Sequence, residues 1–218
     1  MILKTALLSV LATLAFSLPS HALEQGANQQ ASEMPEEVNA LDELNPFDPE
    51  IEQTLRAYDE EYENETGISA FLEDSGLSAI PFFDSGCYRQ SCAVWARVIR
   101  SSQSMELYVD GSLVGTYDVS TGTKGFTTPK FDRHPNGRIY DKYTSTKYPG
   151  GDYAGLGNMP YAVFIQGGFA IHGTGKGNWS KLGSPASHGC IRLHPDNAKY
   201  FNRLVRQNGI KQTWITVE

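Results

Sequence analysis

Ser187-His188-Gly189-Cys190-Ile191-Arg192-Leu193 begins fifteen residues after the histidine of Ala170-Ile171-His172-Gly173-Thr174, and the two segments together read as a thiol active site. A nucleophilic cysteine needs a base to take its proton and N–H donors to hold the oxyanion that forms at the attacked carbonyl. A thiol with a pKa of about 8.5 is only a few per cent ionised near neutrality, so an imidazole has to activate it and then protonate the departing amine. His172 is the candidate base. His188, two residues before Cys190, shares the cysteine's side if the run is extended, which gives it a supporting place in binding or in the oxyanion site. The amides of Gly189 and Cys190 are the candidate oxyanion donors, and a glycine at that point allows close approach of a carbonyl. Ser187 is expected to orient His172, by its hydroxyl or its carbonyl. Arg192 is the candidate for substrate carboxylates, because a guanidinium binds them in a bidentate fork. The competing accounts are an inert buried cysteine, a core histidine and a surface or helix-terminal arginine.

Around these segments the pattern is one of short strands. Residues 93–100, 105–109 and 113–119 are rich in Val, Ile, Leu and Tyr, and Asp110-Gly111 between the last two is a hairpin turn, so a β meander is expected. Further strands are expected at 162–166, 169–172 and 214–217. Between the last two, residues 195–208 carry Ala198, Phe201, Leu204 and Val205 on one face, with Pro195 early and Gly209 at the end, which predicts a helix. A mostly β domain of about 130 residues with one packed helix can bury a sufficient core without a cofactor. His172, His188, Cys190 and His194 lack the paired short spacings of a structural zinc site, so no metal is expected. The sequence shows no internal repeat, phosphate-binding glycine loop or nucleic-acid motif.

The N-terminal region differs. Lys4, an apolar run over 6–16 and Ser20-His21-Ala22 predict a cleavable secretory signal over residues 1–22, the run being well short of the ~20 residues needed to span a bilayer. Export to an oxidising compartment raises the question of three cysteines. A local disulfide between Cys87 and Cys92 is one account, leaving Cys190 outside it; thiols at one or both early positions are the other. Residues 23–74 hold sixteen acidic side chains and one basic, for a net charge of −15, whereas residues 75–218 hold nine acidic and sixteen basic, for +7. The first part of this arm, up to about Pro49, is expected to be disordered. A helix follows, with Ile51, Leu55, Tyr58 and Tyr62 at helical spacing, Pro49 and Glu50 in the first turn and Gly67 as the stop. The arm reads either as a solvated spacer or as a segment that lies across the basic domain and gates its site.

Residues 93–218 also carry a family resemblance. Ser102-Gln103 before Leu107-Tyr108-Val109, then Val119-Ser120-Thr121-Gly122, Thr128-Pro129, and Met159-Pro160-Tyr161 leading to the His172 and Cys190 segments, resemble in order the YkuD-type catalytic domain of the L,D-transpeptidases. One departure is visible: Pro129 is followed by Lys130-Phe131 where the family usually has a second small turn, so the loop 130–157 is expected to differ in what it admits. The resemblance implies a β-sandwich with mixed sheets and one packed C-terminal helix, preceded by the acidic arm (residues 23–92). It implies a periplasmic enzyme without a cofactor that acts on peptidoglycan stem peptides. Cys190 would attack after the third stem residue, diaminopimelate, release D-alanine, and pass the acyl group to an amine as a 3→3 cross-link. Water, a free D-amino acid or an outer-membrane protein are alternative acceptors, and a wall-binding protein with an idle thiol is the non-enzymatic alternative. Carbapenem acylation is a further implication. Tyr161, Trp179 and Gly173 are expected near the substrate cleft, and His194 in a structural place at the helix start.

Overall fold

Strand β1, Val94–Ile99, is the axis on which the main sheet is built. It pairs antiparallel with β2, Ser104–Val109, on one side and parallel with the C-terminal strand β8, Thr213–Val217, on the other. β3, Ser112–Asp118, extends the sheet beyond β2, and β4, Phe131–Arg133, extends it beyond β8. The computed structural model describes residues 44–72, 86–143 and 152–218. Within these residues the sheet order is β3-β2-β1-β8-β4, and a second sheet has the order β5-β6-β7, formed by Val163–Gln166, Phe169–Gly173 and Ile191–Leu193. Both sheets are mixed, since β6 and β7 run parallel. The expected signal segment and the expected disordered stretch as far as residue 43 lie outside the described residues, as does 144–151 of the atypical loop; the rest of that stretch, 44–49, is instead folded into turns with Leu44 buried.

Local chemistry accounts for these elements. Asp110 and Gly111 take φ values of 47° and 75°, the paired left-handed geometry of a tight hairpin turn. Helix α2, Pro195–Asn208, has Pro195 in its first turn, and the Nδ1 of His194 accepts the Asp196 amide, which gives His194 its structural place. α2 buries Ala198, Phe201 and Val205 against Ile171, Ile191, Leu193, Ile215 and Val217, forming a core shared by the two sheets. Leu204 is only half-buried, and Asn202 takes the deeper position, donating Nδ2 to Tyr140 O at 3.0 Å. Cys87 and Cys92 form a disulfide.

Helix α1, Ile51–Thr66, ends at Gly67 with φ 66°. It is not a solvated spacer. Leu55, Asp59 and Tyr62 are buried along one face, and Leu55 and Tyr62 join Tyr140, Tyr143, Met159, Phe164 and Cys190 in a second core cluster. Asp59 is the position that hydropathy alone misplaces. It is 7 % exposed and takes two-pronged bonds from Arg138, itself 5 % exposed, through Nε at 2.9 Å and Nη2 at 2.9 Å. The Tyr140 hydroxyl also donates to Asp59. Burial, and then that bond to the carboxylate, hold the Tyr140 phenol far above its usual range.

Candidate active site

The parallel pairing of β6 with β7 brings the two motif segments together. Ile171 lies beside Ile191 and His172 beside Arg192, so Cys190, the residue just before β7, is brought to the end of the strand pair that carries His172. Two bridges, Ser120 to Arg192 and Gly122 to Ser187, fasten the Val119–Gly122 turn alongside. Cys190 and His172 are each 1 % exposed, and His188 is 5 % exposed.

His172 Nδ1 lies 2.7 Å from Gly173 O. A carbonyl can only accept, so Nδ1 carries the hydrogen and Nε2 the lone pair, the tautomer required of a base. The group that orients the ring is therefore the carbonyl of the next residue. Ser187, expected in that role, instead donates its hydroxyl to Cys190 O at 2.5 Å and accepts the Gly189 amide at 3.1 Å. Ser187 thus closes the turn that carries the thiol, and the Gly189 N–H is committed to it. Nor is the run from His188 to Cys190 extended: it bends, with Gly189 at φ 116°, and the strand starts only at Ile191. The same-side argument for His188 fails for that reason. Its ring instead meets Phe126 edge-to-face at 4.8 Å. The Cys190 Sγ donates to Gly168 O at 3.4 Å.

Arg192 is buried, and its Nη1 donates to Ala186 O at 2.8 Å, so its head braces the turn ahead of Ser187. Tyr161 stands in the shared core with Lys199 and Arg203 of α2 over its ring, at 5.8 and 5.7 Å. Trp179 packs on His194 at 4.4 Å. Gly173 is fixed on both sides, its amide bonding Pro160 O at 2.7 Å while its carbonyl holds His172. Sequence reasoning missed Thr128. Its Oγ1 accepts the Gly122 amide at 2.8 Å and donates to Gly189 O at 2.7 Å, tying the two turns together. Thr128 belongs to the Thr128-Pro129 pair that carried part of the resemblance, and Phe126 lies two residues before it. Among the described residues, no group of three or more His, Cys, Asp or Glu side chains is placed to hold a metal ion.

Residues 93–216, more than half of the chain, match the L,D-transpeptidase catalytic domain family, YkuD. The chain belongs to this family. Similar solved structures include an L,D-transpeptidase from Mycobacterium smegmatis, at 22 % identity and TM-score 0.44 over 58 % of this chain and 59 % of that one. An L,D-transpeptidase from Mycobacterium tuberculosis H37Rv is 20 % identical, with TM-score 0.46 over 58 % of each chain. One from Stackebrandtia nassauensis is 18 % identical, with TM-score 0.44 over 73 % of this chain and 75 % of that one. This chain spans just under three-fifths of the two mycobacterial proteins. No curated protein matches it.

Proposed function

We propose that the protein is a periplasmic L,D-transpeptidase that uses Cys190 to form 3→3 cross-links between peptidoglycan stems. The observation that supports this most directly is a thiol brought to the same strand pair as an imidazole whose tautomer is set: Cys190 immediately precedes β7, which pairs with the strand that carries His172, and Gly173 O fixes the Nδ1 hydrogen. His172 Nε2 takes the thiol proton as Cys190 Sγ attacks the carbonyl at the L-centre of diaminopimelate. The C–N bond to D-alanine breaks, and the same proton leaves on its amine. In the second step, the side-chain amine of a neighbouring stem attacks the thioester, gives a proton to His172, and releases Cys190. With the Gly189 amide held by Ser187, the Cys190 amide is the oxyanion donor proposed here. His188 and Phe126 form one wall of the donor site. The compartment is supported by the export-type segment over residues 1–22 and by the Cys87–Cys92 disulfide. Among the described residues, no helix is long and apolar enough to cross a membrane.

Incubation of purified sacculi with the protein, followed by mass spectrometry of the released muropeptides, tests the reading. Dimers joined through two diaminopimelate residues are expected, and Cys190→Ala should give none and bind no carbapenem. Cross-linking that survives in Cys190→Ala refutes it. Trimmed tripeptides, exchanged stems or protein adducts in place of dimers would move the acceptor to water, a D-amino acid or a protein.

A further inference from the structure

The thiol is covered by the protein's own arm. Leu44, 2 % exposed, belongs to the same buried cluster as Cys190. Pro46 presses on two glycines that flank the sulfur: a Cβ on Gly168 would lie 2.9 Å from Pro46 Cα, and one on Gly189 2.9 Å from Pro46 Cγ. Gly168 supplies the carbonyl that accepts the Cys190 thiol. Phe47 completes the cover, with its ring edge-to-face on Phe169 at 5.2 Å and tilted on Phe126, the residue that packs on His188, at 6.3 Å. A stem peptide has to reach this sulfur and the turn before it.

The segment and the helix behind it are held in different ways. The hydrogen bonds that the described residues show for 45–51 are local: Asp48 N to Asn45 O, Phe47 N to Asn45 Oδ1, Glu50 N to Asp48 Oδ1 and Ile51 N to Asp48 O. Its grip on the strands is apolar contact, and Phe47 remains 44 % exposed. Helix α1 is instead anchored by the buried Asp59–Arg138 pair. Lifting the segment therefore costs apolar burial but breaks none of those backbone bonds, while the helix stays in place as its mooring.

We propose that residues 44–47 occupy the acyl-donor subsite as an intramolecular competitor of the stem peptide, so that Cys190 reacts only from a minor state in which the segment is lifted. The subsite assignment rests on the reading of Cys190 as the nucleophile; the cover itself does not. In a two-state cover, the reaction rate of the thiol follows the lifted population. Phe47→Ala removes about half of a phenylalanine's burial and is expected to raise that population about fivefold to tenfold. Leu44→Ala acts on a separate contact and is expected to raise it by at least as much.

The test is the rate at which iodoacetamide labels Cys190 in the full-length protein, for the natural sequence and for both variants, each with its melting temperature measured. Faster labelling of both variants with melting temperatures kept supports the cover, and unchanged labelling overturns it. Acylation by a tetrapeptide stem should rise by the same factor; a rate that stays constant while labelling rises overturns the subsite assignment. Absence of stem acylation in every protein, with labelling raised, would count against the transpeptidase reading and leave the cover standing.

Discussion

Replacing Asp59 by alanine would leave the Arg138 guanidinium buried without its carboxylate. Arg138 cannot simply turn to water, because it is 5 % exposed and lies over the Phe71 and Phe164 rings at 5.0 and 6.0 Å. Its remaining charged neighbour, Glu52 at 3.7 Å, is a side chain more than half exposed. Orphaning one partner of a buried pair costs about 3–5 kcal/mol. In a protein of this size, each kcal/mol lowers the melting temperature by about 2–4 °C, so a fall of roughly 6–20 °C is expected. A cheaper escape exists, because α1 can detach and let Arg138 hydrate. The strands would then melt nearly as before while α1 lost its protection from amide exchange. Calorimetry with exchange mass spectrometry reads both outcomes. The double variant Asp59→Ala/Arg138→Met, which leaves no charge buried, should recover much of the loss. Asp59→Ala melting within about 1 °C of the natural protein with α1 still protected would refute the argument, since ~3 kcal/mol cannot be hidden in either readout.

Two further outcomes follow from the site and from the far edge of the main sheet. Thr128→Val keeps the shape but leaves the Gly122 amide and Gly189 carbonyl without their partner; at about 1–3 kcal/mol each, a loss of about 2–6 kcal/mol in urea unfolding is expected, with slower carbapenem acylation. A loss below about 0.5 kcal/mol would remove Thr128 from the account. Asp132, bonded first by Arg89 and then by Trp214 and Thr216, has its pKa lowered from 3.8 to about 2. Since the folded form holds this carboxylate ionised, its stabilisation is complete above the unfolded value and fades as pH falls through about 2. The gap in urea midpoint between the natural protein and Asp132→Asn should therefore be constant from pH 7 to about 5 and narrow below that. A gap that widened on acidification would have the wrong sign.

The sequence was most legible where the signal is local. The Asp110-Gly111 turn, α2 with its Pro195 and Gly209 boundaries, and the stop of α1 at Gly67 all follow from residues within a few positions of one another. The two motif segments could be read together because parallel strands place them side by side. What stayed hidden depends on distant partners. Asp59 looks like one more acid in an acidic arm until Arg138, seventy-nine residues away, is packed against it. The hydroxyls of Ser187 and Thr128 could each face several backbone groups, and only the fold decides which. The extended run assumed for His188 failed because Gly189 bends a stretch that alternation treats as straight. Pro46 and Phe47 resemble ordinary loop residues, and nothing in their neighbours says that they end up over a thiol.

β8 lies between β1 and β4, so the main sheet is joined through the last of the described strands. Val94 pairs with Thr213 across almost the whole of the domain's sequence, and among the described residues β4 has no neighbour in that sheet except β8. The sheet cannot close while residues 213–217 are still missing, and a pairing of such long sequence separation forms slowly. A domain joined this way keeps its main sheet in two pieces until β8 has docked between them.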